Sequence, residues 1–341
     1  MRVAVLGCGF GAQHLDWLSQ HPEFDLDTLF YQHNRERAVE LANRYGIASV
    51  SADPVGELSR RGIELAVIVT PPDTRQALVR AALDAGAFAF VDKPLSHSLE
   101  SATELAALAA GAPQRCAVNF QWRSHPAVRE VRDQLAVGVG VLHRVHASFY
   151  HDFFRGQQAS WRQQPASAGA GTLGDQGVHL FDLLHWLIPR DWSAVAAQTS
   201  TVRQDPDGQR LEPAAGRTED LAEVWLQEPE SGCLATVSLS RLVCGVRAIE
   251  FEVQGSDRTL RLRLEADDGS AELTTHGSDG TSKTARYGPT SLDPYPPLLA
   301  VMAGKQDPDG LLASFDDGLR AQARLAEAVA LAARTPPALP S

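Results

Sequence analysis

The chain has 341 residues, of which 44% are hydrophobic and 21% charged, with a formal net charge of −11; that is enough for two globular domains with a sizeable core. The acidic balance and the lack of any basic run exclude a nucleic-acid footprint and an anionic membrane surface as partners. Four scattered cysteines (Cys8, Cys116, Cys233 and Cys244) with no CxxC pair read as reduced thiols rather than a disulfide framework or a zinc site.

Up to about Gln121 the pattern alternates strand and helix. Short apolar runs recur at 2–7, 26–31, 64–70, 87–92 and 115–120, separated by helical patterns at 35–46, 74–86 and 98–111. Several of these helices end on glycine, a common left-handed stop. Continuous apolar strands between helices predict a parallel sheet covered on both faces. After about Arg123 one more helix closes at VRDQLAVGVG, and longer runs with period-2 alternation follow at 141–150, 220–227, 233–242, 248–255 and 259–266. This half is expected to hold a mostly antiparallel sheet, with a helix containing Asp175 and His179 inserted early and a final amphipathic helix from about 315 to 335. The two DPDG tetrapeptides (205–208 and 307–310) read as turns. The expected domains are 1–122 and 123–341. No window approaches the roughly 18 to 20 apolar residues of a membrane span, and MRVAVLGCGFGAQH lacks signal-peptide features. The expectation is a soluble, cytoplasmic protein.

Three motifs carry chemistry. GCGFGA (7–12) follows the first strand: Gly7 ends the strand, Gly9 lets backbone approach a pyrophosphate, and Ala12 takes the small third position, with the next helix N-terminus favouring an anion. At the end of strand two, where an NAD ribose would meet a carboxylate, the chain reads Tyr31-Gln32-His33-Asn34-Arg35. Asp27 stands at the wrong end of that strand. An uncharged strand end followed by Arg35 and Arg37 suits a 2′-phosphate better than a bare hydroxyl, so NADP(H) is favoured over NAD(H). Arg37 also reads as a solvated helix residue. VDKPLS (91–96) places Lys93 at the carboxyl end of the fifth strand, where ligands of doubly wound sheets sit, and TPPDT (70–74) ends the fourth in the same way.

GCGFGA, TPPDT, VDKPLS, NFQWRSHPAV (119–128) and AGAGTLGDQGVHLFD (168–182) stand in the order and spacing of the Gfo/Idh/MocA family, the glucose–fructose oxidoreductase and inositol dehydrogenase relatives. The resemblance spans essentially the whole chain, including SFDDGLRAQARLAEA near the end. It implies an α/β protein: an N-terminal Rossmann dinucleotide-binding domain plus a C-terminal α+β domain with a large, mostly antiparallel open sheet. It also implies a hydride transfer between NAD(P) and a secondary alcohol or carbonyl carbon. By motif position, Lys93, Asp175 and His179 look like the family's catalytic set. The cofactor-contacting set becomes Gly7, Gly9, Phe10, Gly11, Ala12, Gln32, His33, Asn34, Arg35, Thr70, Pro71, Pro72, Asp92, Lys93 and Gln121. The chain departs from the family at three points: Asp92 replaces the usual glutamate before the lysine, Arg75 replaces a histidine that often lies near the cofactor, and the strand-two carboxylate is missing.

Asp175 and His179, four residues apart where a glycine-rich loop enters an apolar helix, lie on one helical face with Asp182 close behind. Alone, such a pair reads as a helix-start carboxylate with an intrahelical partner. A metal site on Asp175, His179 and Asp182 is set aside, since hydride transfer to nicotinamide needs no metal once an acid/base is present. With Lys93 and the glycine motif, His179 is expected as acid/base, Lys93 as electrostatic and proton-relay partner, and Asp175 as the orienting or substrate-binding carboxylate. Lys93 as the base stays open. Trp122, Arg123, Trp161 and Arg162, with Asp175 and His179, form the expected substrate set, an aromatic and guanidinium combination suited to a sugar or cyclitol. His125 is a further candidate. Two other readings stay open: a dinucleotide-binding sensor without turnover, and an enzyme acting on a dihydrodiol or pigment-like substrate. A sheet face free of helices predicts a homodimer or homotetramer through the second domain.

Overall fold

The computed structural model describes residues 1–152, 160–202, 217–307 and 309–334. They form two compact units: Met1–Phe120 with Asp293–Leu319, and Gln121–Leu292 with Arg320–Ser341. Of the two DPDG turns, 205–208 lies outside the described residues, as does Pro308 of the other.

The first unit runs β1 (Arg2–Leu6), α1 (Gly11–Leu18), β2 (Asp25–Phe30), α2 (Arg35–Tyr45), β3 (Ser49–Ser51), α3 (Pro54–Arg60), β4 (Leu65–Ile68), α4 (Arg75–Asp84), β5 (Phe88–Asp92), α5 (Leu99–Ala110) and β6 (Cys116–Asn119). All pairings are parallel and the strand order is β3-β2-β1-β4-β5-β6, the order of a dinucleotide-binding Rossmann sheet. The strands are buried on both faces: every residue of β4, β5 and β6 is buried, as continuous apolar runs between helices require. β3 and α3 carry no apolar run, and the sequence pattern did not separate them from the neighbouring loop.

The second unit contains α6 (Pro126–Val137), β7 (Leu142–Tyr150), α7 (Pro165–Ala168), α8 (Val178–Leu187) and β8 to β14 (Ser193–Ser200, Leu221–Gln227, Leu234–Ser240, Ala248–Gly255, Arg258–Glu265, Ala271–Gly277, Ser282–Tyr287). α9 (Tyr295–Met302) lies in the chain's return to the first unit, and α10 (Phe315–Ala332) follows it. The sheet order is β14-β13-β12-β11-β7-β10-β9-β8, antiparallel except for the β7–β10 pair. β12 explains the one-sidedness: Leu260, Leu262 and Leu264 are buried, while Arg261 and Arg263 stand on the other face and pair across the strand with Glu252 and Glu250 at 2.6 and 2.5 Å. α6 packs on β12 and β13, and α8 on β7. Among the described residues no helix is long and apolar enough to cross a membrane.

Candidate active site

In the first unit the glycine motif is built as its positions demand. Gly7 has φ +115°, and its amide donates to Phe30 O at 2.9 Å. A Cβ there would lie 2.9 Å from the Val69 carbonyl oxygen, so a side chain is excluded twice over. A Cβ on Gly9 would meet nothing within 4 Å, leaving open space beside the backbone. The small residue pressed on the strand is Gly11, whose Cβ would come within 3.3 Å of Val5 Cγ1; Ala12, the sequence's choice for that part, is half-buried. α2, α3 and α5 are capped by the side chains of Asn34, Asp53 and Ser98, whereas α1 has neither a side-chain cap nor an acidic residue in its first turn. Within this turn the Ala12 and Gln13 amides donate to Gly9 O and Phe10 O at 3.2 and 3.0 Å, and no side chain competes with a ligand at this helix start.

At the end of β2, Gln32, His33, Asn34 and Arg35 are exposed. Asn34 accepts from the Arg37 amide at 2.9 Å, and Arg37 pairs with Glu40 at 2.7 Å. Burial pushes the Cys8 thiol up, opposed by the Arg37 charge. Asp27 is held by Arg2 (2.7 Å) and Arg61 (3.3 Å), a structural ion pair. In the TPPDT turn, Thr74 Oγ1 donates to Pro71 O at 2.9 Å and Pro72 is buried. Asp92 ends β5 and accepts from Asn119 Nδ2 at 3.2 Å, and half-buried Lys93 follows it.

In the second unit the Asp175 segment is not α-helical. Leu173–Gly177 is a π-helical turn that runs straight into α8, so Asp175 lies on the wider turn and His179 on the α-helix. Such turns are rare and cluster at functional sites. Two missed residues pin it. Gln176 donates to Phe149 O (2.7 Å) and Ser240 O (3.0 Å), bridging the ends of β7 and β10. Glu219 accepts from the amides of Gly171 (2.8 Å) and Leu173 (2.9 Å). Burial raises the Glu219 carboxyl above its ordinary range, with the Gly171 and Leu173 amides pulling it back. A Cβ on Gly171 would sit 2.0 Å from Glu219 O, so this glycine is required by close approach.

A third missed residue is His151, just past β7. It is 2% exposed, and its Nε2 lies 3.6 Å from Asp175 Oδ2, the Asp175 side chain being 25% exposed. His179 is 3% exposed, with the rings of Trp122 and Phe149 at centroid distances of 6.4 and 6.2 Å. Phe149 also packs edge-on to His151 at 5.8 Å. Asp175, His179, His151 and Trp122 are thus one cluster. Arg123, also placed in the substrate set by sequence, is 2% exposed and bonded to Asp182 through Nε–Oδ2 at 2.9 Å and a second, Nη2–Oδ1 contact. His125 caps α6: its Nδ1 accepts from Ala127 N (3.1 Å), so Nε2–H donates to Gly269 O (2.8 Å). Half-exposed Trp161 and Arg162 stack on each other at 4.5 Å, and Arg162 O accepts from Thr218 Oγ1 at 2.8 Å. Gln121 Oε1 and Trp122 Nε1 are buried with no hydrogen-bond partner among the described residues, polar atoms that call for a ligand or water. No group of three His, Cys, Asp or Glu able to hold a metal occurs among the described residues.

Comparison with known proteins agrees with this architecture. A model of an oxidoreductase family with an NAD-binding Rossmann fold matches residues 1–120, and a model of the GFO/IDH/MocA C-terminal domain matches residues 128–261. An uncharacterized oxidoreductase of Synechocystis sp. is 26% identical over 77% of this chain and 71% of its own. Levoglucosan dehydrogenase of Pseudarthrobacter phenanthrenivorans is 27% identical over 59% of this chain and 54% of its own. A solved structure of levoglucosan dehydrogenase in complex with NADH and levoglucosan superimposes with a TM-score of 0.81 over 98% of this chain and 97% of that one, at 21% identity.

Proposed function

Because this chain belongs to the Gfo/Idh/MocA oxidoreductase family, we propose that it transfers a hydride between a nicotinamide dinucleotide and the secondary alcohol or carbonyl carbon of a sugar, cyclitol or related polyol. The observation that carries the reading is the cluster in the second unit: a partly exposed carboxylate, Asp175, with His151 beside it and His179 against Trp122 and Phe149. Carboxylate and imidazole groups suit hydroxyls, and an aromatic wall suits the apolar face of a sugar ring. Levoglucosan dehydrogenase, the relative described above, is named for a sugar substrate.

When bound, the nicotinamide supplies or accepts the hydride. The open space at Gly9 and the uncapped N-terminus of α1 fit the pyrophosphate. Gln32, His33, Asn34 and Arg35, without a carboxylate, would hold the adenosine ribose. We read Arg35 and Arg37 as favouring a 2′-phosphate, hence NADP(H) over NAD(H). Loss of hydride from an alcohol carbon leaves an oxygen whose proton must go elsewhere. His179 takes that proton, imidazole being the side chain that ordinarily titrates near neutral pH. Lys93 stabilises the developing alkoxide with its ammonium, and Asp175, with His151, orients the hydroxyl-bearing substrate. Arg123 serves this cluster by holding α8 through Asp182.

The same proposal includes a homo-oligomer. Exposed Trp225 lies in one lateral row with Thr236, His146, Glu252 and Arg261 on the sheet face opposite α6 and α8, a surface for a second copy. The deciding experiment compares NADPH and NADH binding by fluorescence and then screens sugars and cyclitols at the nicotinamide absorbance. Tighter NADPH binding and turnover of a polyol are expected. Tight cofactor binding with no polyol turned over would overturn the reading.

A further inference from the structure

Arg75 opens α4 and is 2% exposed, the largest fully buried side chain of the first unit. An arginine is taken out of water only where its donors are met. Nε and Nη2 donate to Thr70 O at 3.1 and 3.0 Å, and Nη1 donates to both Asp92 O and Pro94 O. The last two carbonyls are those on either side of Lys93. One guanidinium therefore joins the turn after β4 to the turn after β5, gripping the second at the carbonyls of the residues before and after the lysine.

The residue type matters. Three carbonyls met by one side chain need several N–H groups at fixed directions, which the guanidinium fork has. A lysine ammonium offers three donors without the fork, and a neutral imidazole only one.

We propose that Arg75 is a positioning residue that acts through Lys93: by bracketing the lysine between two bonded carbonyls tied to Thr70, it fixes where the Lys93 backbone stands relative to the TPPDT turn. The inference rests on the reading of Lys93 as a participant in the reaction. Loosening the bracket spreads the ammonium over a wider volume and lowers its effective concentration at the reacting oxygen. Displacements of that kind, remote from the bond that breaks, cost roughly tenfold to a hundredfold in rate.

The chain makes an activity-independent test available, since it has only three lysines, Lys93, Lys283 and Lys305, and the other two are exposed. Competitive acetylation of the folded, full-length protein followed by peptide mass spectrometry gives the Lys93:Lys283 labelling ratio, with Lys305:Lys283 as the internal control. R75H and R75Q are expected to raise the first ratio by about threefold or more, as a locally loosened turn would, and to leave the second unchanged. The same variants should lower kcat by roughly tenfold or more, with KM and the cofactor Kd within about threefold. R75H should cost nothing further in a K93M background, since groups acting as one unit are not additive.

An unchanged Lys93 ratio in R75H overturns the proposal, and so does loss of cooperative melting in both variants, which would make Arg75 a plain structural residue. Failure of the underlying reading looks different. If K93M alone keeps near wild-type kcat, the role given to Lys93 falls, whereas if K93M is inactive and R75H is not, only the role given to Arg75 falls.

Discussion

His151 Nε2 lies 3.6 Å from Asp175 Oδ2, with the imidazole 2% exposed and the carboxylate side chain 25% exposed. The histidine is fixed from behind: its amide donates to Ser240 O at 3.0 Å and its carbonyl accepts from Val243 N at 3.2 Å. Asp175 is therefore met by a rigid neighbour. His151→Leu is expected to lower kcat/KM by about tenfold or more, about 1.4 kcal/mol of transition-state stabilisation, and His151→Asn to recover part of it. Steady-state kinetics of the two variants check this. Equal kcat/KM for wild type and His151→Leu would remove His151 from the site.

Arg123 and Asp182 form a buried ion pair inside the second unit, both side chains 2% exposed. Removing one partner of such a pair leaves a buried charge, at about 3–5 kcal/mol. Arg123→Met is expected to lose that much in urea unfolding and to move KM only secondarily. A raised KM at unchanged stability would instead return Arg123 to direct substrate contact, where sequence spacing alone puts it.

His14 is fully buried in the first unit, with Nδ1 2.7 Å from the Tyr295 hydroxyl. Burial lowers its pKa from 6.5 to about 4, opposed by the charges of Asp92 and Asp293. The unfolded chain takes up the proton near 6.5 and the folded one only near 4. Stability is thus complete above the upper value and falls as pH drops between the two, by up to about 1.4 kcal/mol per pH unit. His14→Gln keeps a polar partner for Tyr295 and cannot titrate. Unfolding free energies at pH 7 and pH 5 should differ less in the variant than in wild type, and equal differences would refute the assignment.

Glu219 accepts both the Gly171 and Leu173 amides through one oxygen, Oε1. Glutamine can reproduce both bonds without burying a charge. Because burial raises the Glu219 pKa from 4.5, the charged form costs stability above that value and the cost disappears below it. Glu219→Gln is expected to melt higher than wild type at pH 7, with the gap closing as pH falls through the carboxylate range. Glu219→Ala leaves both amides unpaired, about 1–3 kcal/mol for each, and lowers the melting temperature at every pH.

The parallel sheet was legible because β1, β4 and β5 are unbroken apolar runs between helices that end on glycine or a turn, a pattern with few other solutions. The antiparallel sheet was legible at β11 and β12, where Leu260, Leu262 and Leu264 alternate with charge. It was not at β14, whose residues Ser282–Arg286 are all exposed, so no alternation marks them. Gly7, Lys93, Asp175 and His179 stood out through local motifs. His151 and Glu219 did not, because their partners lie 24 and 46–48 residues away along the chain and each stands just outside a period-2 run, where no local motif marks it. The π-helical turn was equally hidden: the spacing of Asp175 and His179 reads the same on either helix, and it is the bonds of Gln176 and Glu219 that settle which one forms.

We propose that His179 moves the proton and Lys93 stabilises the oxygen it leaves, and kcat of His179→Ala and of Lys93→Met on the best polyol with the preferred cofactor, alongside cofactor Kd, decides it. Each variant is expected to lose about 10²–10⁴-fold in kcat while binding the dinucleotide as wild type does. Near wild-type turnover in both would contradict the assignment.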